Sequence, residues 1–161
     1  GIVGFGRIGQ EIARLAKPFG LKILIYDIID KSLNAKRFSA KKVSYENLLE
    51  NSDFIIFSPN LNKKSVHMFD FEIQKFIKKR PCIINISRGK IINEKFLKYA
   101  IKTNIISQIG LDVFNNEPIN KKNILISKKN NYFSAHNAYN TEESVRRTNL
   151  AVVKNLLKVL K

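Results

Sequence analysis

Gly1-Ile2-Val3-Gly4-Phe5-Gly6-Arg7-Ile8-Gly9 opens the chain: a short apolar run, glycines at positions 4, 6 and 9, then apolar residues at helical spacing from Ile8 to Phe19. Strand, glycine-rich turn and helix in that order are the context in which a Gly-x-Gly-x-x-Gly pattern carries meaning. Gly4 permits the tight turn, Gly6 lets the backbone approach a pyrophosphate, and Gly9 allows the helix to pack closely on the strand. The helix N-terminus, with Arg7 and Ile8 in its first turn, offers N–H donors and the positive end of a dipole to an anion.

A second apolar run, Lys22 to Tyr26, ends at Asp27, 18 residues past Gly9. A carboxylate at that distance can accept from the hydroxyls of a ribose and repels an added phosphate, which points to NAD in preference to NADP. Further runs of strand length follow at Asp53 to Phe57, Cys82 to Ile86, Ile105 to Leu111 and Tyr132 to Ser134, with a shorter one near Val43. Helical spacing recurs between them at Tyr45 to Asn51, Phe71 to Lys78 and Glu94 to Lys102, and Thr141 to Leu160 reads as a long closing helix. This alternation predicts an α/β, Rossmann-type doubly wound fold, its sheet mostly parallel with helices on both faces. Asn115 to Asn131 is polar and loop-like.

The chain has 161 residues, enough for one domain and too few for two of ordinary size. A first strand of about five residues is expected, yet only three precede the glycine turn. The reading is therefore of one domain, 1–161, taken from a longer enzyme whose substrate-binding domain is absent from this sequence. The net charge of +16 raises the question of nucleic acid, but the lysines are scattered singly or in pairs such as Lys63-Lys64, Lys121-Lys122 and Lys128-Lys129. Such a distribution describes a solvated surface, with no specific nucleic-acid partner. No leader or membrane-spanning run is evident, so a cytoplasmic protein is expected. Cys82, the one cysteine, sits in an apolar run and is expected to be a buried, inert thiol; neither a disulfide framework nor a metal site is called for.

Three strand ends carry groups able to do chemistry: Asn85-Ile86-Ser87-Arg88-Gly89, Gly110-Leu111-Asp112-Val113-Phe114 with Glu117-Pro118, and Ser134-Ala135-His136. In an open α/β sheet these ends face one crevice. Reducing a 2-keto acid needs a cation to hold the carboxylate and polarise the carbonyl, an acid for the forming alkoxide, and a hydride donor beside the carbon. Arg88, His136 and a nicotinamide meet those needs, and Glu117 can hydrogen-bond the imidazole and favour its protonated form. His67, with no comparable partner in the sequence, is read as structural.

These motifs, in this order and across essentially the whole chain, resemble the NAD-binding domain of the D-isomer-specific 2-hydroxyacid dehydrogenases, a family that includes phosphoglycerate dehydrogenase and glyoxylate or hydroxypyruvate reductases. The resemblance implies that Arg88 binds and polarises the substrate, His136 is the acid/base, Glu117 is its partner and Asp112 holds the nicotinamide carboxamide. It also implies that Pro59 and the Ile86-Ser87 backbone line the cofactor channel, and that the protein forms a homodimer. The expected reaction passes hydride between nicotinamide and a D-2-hydroxy or 2-keto acid, with 3-phosphoglycerate among the candidate substrates. The alternative is an NAD(H)-binding regulatory or truncated protein without turnover. Two departures stand out: Asn93 occupies a position where the family usually has Asp, and Pro59-Asn60-Leu61-Asn62-Lys63-Lys64-Ser65 replaces a Pro-Leu-Thr run.

Overall fold

The computed structural model describes residues 1–120, 123–126 and 131–160; the pairs Lys121-Lys122 and Lys128-Lys129 lie outside them. Seven strands form one sheet: β1 (Ile2–Val3), β2 (Ile23–Tyr26), β3 (Ala40–Lys42), β4 (Phe54–Phe57), β5 (Cys82–Asn85), β6 (Gln108–Leu111) and β7 (Tyr132–Phe133). Their order is β3-β2-β1-β4-β5-β6-β7, and every pairing is parallel. Among the described residues five α-helices accompany them: α1 (Arg7–Ala16), α2 (Ser32–Arg37), α3 (Tyr45–Asn51), α4 (Glu94–Lys102) and α5 (Glu142–Val159).

Alternation along the strands divides the core in two. Ile23 and Ile25 of β2 join Ile2, Phe5, Ala13 and Ala35 on the α1 and α2 side. Leu24 and Tyr26, the intervening residues, pack with Val3, Leu48, Leu49, Phe57 and Phe96 on the α3 and α4 side. Period-two side chains thus send consecutive residues to opposite faces, both helix-covered, as a doubly wound sheet requires. Cover is incomplete beyond α1, where Phe54 is exposed and Cys82 and Ile84 are half-buried. Cys82 is therefore less enclosed than the sequence suggests, although burial still pushes its thiol pKa up. No residue of α5 is buried, and its side chains Leu150, Val153 and Leu157 face solvent.

Several boundaries differ from the sequence reading for local reasons. α1 stops at Ala16 and tightens into a 3₁₀ turn, Lys17–Phe19, where Pro18 removes a backbone donor and Gly20 closes at φ +71°. Phe71–Phe76 is 3₁₀ rather than α; Ile73 and Phe76, three apart, are its residues packed on the core, a spacing that suits three residues per turn. Ile105 and Ile106 do not enter β6, because their N–H groups close the end of α4 on the Ala100 carbonyl, with Asn104 left-handed at φ +58°. α2 was not anticipated: six residues with Ala35 alone buried give no periodicity to read.

Asn93 caps α4, its Oδ1 accepting from the N–H groups of Lys95 and Phe96. Its Nδ2 donates to both oxygens of Asp70, at 3.0 and 2.9 Å, while Asp70 caps the 3₁₀ turn through Phe71 N–H. An aspartate at 93 would keep the cap but face Asp70 as a like charge without a proton to share. Asn93→Asp should therefore destabilise the chain by about 1–2 kcal/mol, and adding Asp70→Asn, which reverses the donor and acceptor, should recover at least half of that loss. A urea-denaturation double-mutant cycle checks this; additive losses would mean the two side chains are uncoupled.

Candidate active site

Parallel pairing brings the carboxyl ends of six neighbouring strands to one edge. Read across the sheet, that edge carries Asp27 after β2, the glycine turn after β1, Pro59 after β4, Ile86 to Arg88 after β5, Asp112 after β6 and Ser134 to His136 after β7. The residues given cofactor or catalytic roles from the sequence, Glu117 included through its contact with His136, belong to this edge. A cleft of about 360 Å³ opens at its first half, lined by Gly4, Gly6, Asp27, Ile28, Ser58, Pro59 and neighbours. A larger hollow of about 770 Å³ lies at the starts of β1, β2 and β4, away from every predicted site residue.

The three glycines of the turn are separable by what a methyl group would meet. At Gly4, φ +86°, a Cβ would sit 2.7 Å from the Pro59 nitrogen, and at Gly9 it would sit 2.3 Å from the Gly4 carbonyl oxygen. Both contacts are closer than atoms tolerate, so the turn and the helix–strand approach demand glycine. At Gly6 a Cβ would meet nothing within 4 Å. The space beside that residue is thus open, and α1 begins there with no side-chain cap and no acidic residue in its first turn. Orphan N–H groups and the dipole of α1, including the turn of Arg7 and Ile8, are left free for an anion. This geometry fits a dinucleotide pyrophosphate.

Asp27 is tied into the turn more tightly than the sequence indicates. One carboxylate oxygen accepts from Phe5 N–H at 2.7 Å and the other from Ile29 N–H at 2.9 Å. A carboxylate has about four lone-pair sites, so acceptor capacity remains for ribose hydroxyls. Ser58 supports the opposite wall by donating to the Gly4 carbonyl at 2.7 Å. A lone serine after a strand carries no signal in one sequence, so this buttress is visible only in the structure.

In the second half of the edge, Asn85 organises the Arg88 loop. The side chain, 1 % exposed, donates to the Arg88 carbonyl at 3.0 Å and accepts from the N–H and hydroxyl of Ser87, each at 3.1 Å. Ser87 is buried and Ile86 half-buried. Gly89 is required here as well, because a Cβ would lie 2.1 Å from the Phe114 backbone. Arg88 itself is exposed; one guanidinium nitrogen donates to the Ser87 carbonyl at 2.7 Å, and among the described residues it has no ion pair. Its other donors are free for a carboxylate and a carbonyl oxygen.

His136 and Glu117 meet directly, Nδ1 to Oε2 at 2.8 Å. Phe114 N–H holds the other Glu117 oxygen at 2.9 Å, and that bond, followed by the one to His136, brings the carboxyl below its usual pKa range. An ionised carboxylate only accepts, so Nδ1 carries the proton and Nε2 is the nitrogen left for exchange with a substrate. Asp112, 5 % exposed, sits below them. Burial pushes its carboxyl up, but hydrogen bonds from Ser134, Ala138 and Asn137 and the His136 charge outweigh that and leave it lowered. The Asp112 oxygens accept from Ser134, Asn137 and Ala138 of the His136 loop. His67 stands apart from this group, left-handed at φ +52° with its N–H on the Lys90 carbonyl.

Known proteins are similar to this chain in sequence and fold. Residues 1–138 match the family described as D-isomer specific 2-hydroxyacid dehydrogenase, NAD binding domain. A glyoxylate reductase of Thermococcus kodakarensis is 38% identical over 161 residues, covering 96% of this chain and 48% of that protein. One from Pyrococcus furiosus is 44% identical over 118 residues, 73% of this chain and 35% of its own. The crystal structure of a glyoxylate reductase from Paecilomyes thermophila superposes with a TM-score of 0.91 at 30% identity, covering 99% of this chain and 48% of that one. That of the Aquifex aeolicus D-lactate dehydrogenase complexed with NAD and lactic acid gives 0.84 at 30% identity, with 98% and 52% covered. The chain spans about half the length of the curated relatives it matches. Four ordered motifs on one edge of a seven-stranded parallel sheet, together with a family match over most of its length, place this chain in the D-isomer specific 2-hydroxyacid dehydrogenases, as their NAD-binding domain.

Proposed function

We propose that this domain binds NAD(H) and supplies the proton-transferring and substrate-polarising groups of a reductase acting on a small 2-keto acid, with glyoxylate the first substrate to test. The observation that carries the reading is the Nδ1-to-Glu117 contact of His136 on the same strand-end edge as Arg88 and the open glycine turn. Glyoxylate takes precedence over 3-phosphoglycerate because both sequence relatives described above are glyoxylate reductases. The resemblance further supports a homodimer in the cytoplasm, and the exposed apolar side chains of α5 offer surface that association would cover.

The residues that would hold the cofactor are Gly4, Gly6, Arg7, Ile8 and Gly9 at the pyrophosphate, Asp27 at the ribose, Pro59, Ile86 and Ser87 along the channel, and Asp112 and His136 at the nicotinamide end. Bound NADH supplies the hydride. Arg88 draws the substrate carboxylate and carbonyl oxygen into register through its fork of donors, favouring the charge that grows on that oxygen. His136, protonated at Nε2 and fixed through Nδ1 by Glu117, gives its proton to the same oxygen, so that a 2-keto acid, a hydride and a proton become a 2-hydroxy acid. In the oxidising direction Nε2 takes the proton back.

NADH should bind this chain at least about tenfold more tightly than NADPH, since Asp27 meets a 2′-phosphate as a like charge, and Asp27→Ala should narrow the gap. Fluorescence titration measures both; equal affinities of the parent chain would sink the assignment of Asp27.

Arg88, His136 and Glu117 are all substantially exposed, and in high dielectric their hold on a developing alkoxide is weak. The 161-residue chain alone should therefore leave NADH absorbance flat with glyoxylate, while the same residues replacing the matching segment of the Thermococcus kodakarensis enzyme should turn over. In that chimera Arg88→Ala should lower kcat by roughly 100-fold or more with little change in NADH affinity. Activity within tenfold of the parent would remove Arg88 from the chemistry.

A further inference from the structure

We infer that Asp112, with the hydroxyl of Ser134, is the positioning anchor of the His136 loop, in addition to any contact it makes with a cofactor. The inference rests on the reading of His136 as the proton donor. The Asp112 side chain is buried at the end of β6, and the loop that follows β7 folds around it. Oδ1 accepts from the Ser134 hydroxyl and from Asn137 N–H at 3.0 Å; Oδ2 accepts from Ala138 N–H at 3.1 Å. The Asp112 backbone carbonyl accepts from His136 N–H at 2.8 Å. One residue thus grips the loop on both flanks of the histidine and at the histidine itself.

That grip has something to hold. His136 lies at φ +54°, a left-handed conformation that side-chain-bearing residues keep only where neighbours enforce it. In this conformation its ring meets Glu117, and Glu117 is separately fixed by Phe114, two residues after Asp112. Asp112 is therefore common to both sides of the His136–Glu117 contact: its carboxylate sets the imidazole, and the strand end it belongs to sets the carboxylate partner. Ser134 matters because it supplies a side-chain donor where the loop leaves β7, before any backbone N–H of the loop can turn inward. An asparagine at 112 keeps the shape but turns one acceptor into a donor, so at least one of the three bonds must break.

The test uses the 161-residue chain, whose two histidines make His67 an internal control. Parent, Asp112→Asn, Ser134→Ala and Ser134→Thr are compared by nitrogen-15 NMR at about pH 8, where an unperturbed imidazole is neutral. In the parent, His136 should show a single tautomer protonated at Nδ1. In Asp112→Asn the Asn137 and Ala138 amides should exchange roughly tenfold faster, the factor expected for one lost hydrogen bond of ordinary strength, and His136 should become a mixture of tautomers. Ser134→Ala should do the same to a smaller degree and Ser134→Thr should match the parent, with His67 unchanged throughout. An unaltered His136 tautomer and unaltered amide rates in both Asp112→Asn and Ser134→Ala would overturn the inference, as would parallel changes at His67 and His136 that merely follow a lower Tm. Should Asp112→Asn fail to fold, the Ser134 pair decides alone. NADH titration of the parent judges the wider functional reading separately: no binding there defeats that reading without touching the NMR result.

Discussion

Parallel pairing of β1 with β2 on one side and β4 on the other is the constraint from which the rest follows. Ile2 and Val3 align with Ile25 and Tyr26 in one neighbour and with Ile56 and Phe57 in the other. Chain leaving β1 must therefore turn toward one face, and chain leaving β4 toward the opposite face, because parallel crossovers are right-handed. The two turns part at this point and leave a crevice between them. Gly4 shows how little room the arrangement spares: its Cα sits where any side chain would strike the Pro59 backbone. The same register carried outward through β5, β6 and β7 stacks Asn85, Leu111 and Phe133 in step, so the groups that follow them emerge at one level.

The two halves of this edge are built differently. At the glycine turn the chain has walls: Pro59, Ser58 and Asp27 surround an open position at Gly6, and buried side chains lie directly beneath. At the other half, buried side chains, Asn85 and Asp112, are the supports, while the reactive groups they support stand in water. A phosphate gains hold from backbone N–H groups, and the uncapped start of α1 beside the open space at Gly6 offers them. Polarising a carbonyl gains from low dielectric, which an open edge does not supply. Binding and chemistry thus make separate demands on the same strand ends.

How much of this was legible in the sequence varies with the physical origin of each feature. The glycine turn, Asp27 and the strand runs announce themselves because backbone sterics and central burial restrict residue type: only glycine fits at 4 and 9, and Ile55 and Phe57 are apolar because they are buried in a central strand of the sheet. Arg88, Glu117 and His136 were legible as a pattern, and the Nδ1 contact gives two of them a geometry. What stayed hidden was support. Ser58, Asn85 and Ser134 act through a few hydrogen bonds to nearby backbone or to one side chain, and a polar residue after a strand looks the same whether or not it holds anything. Element ends were misread where a local bond decided them, as with Ile105 and Ile106 closing α4 instead of lengthening β6. The substitution at Asn93 was visible as a departure, but its meaning needed Asp70, 23 residues away, on the other end of the bond.

The carboxylates of the site also explain why a chain with 29 basic and only 13 acidic side chains can keep acidic groups in fixed places. Lysines are everywhere at the surface, yet none holds Asp27, Asp112 or Glu117 in the described residues; backbone N–H groups do, from Phe5 and Ile29, from Asn137 and Ala138, and from Phe114. A lysine partner brings a long flexible stem whose charge salt can screen, so it fixes neither distance nor direction well. A backbone donor is part of the fold, points one way, and keeps its strength at any ionic strength that leaves the sheet intact. Each carboxylate is oriented by the same backbone that sets the strand ends, so drift toward lysine on the surface can proceed without moving the acceptors. The site's geometry is in this sense insulated from the composition of the chain around it.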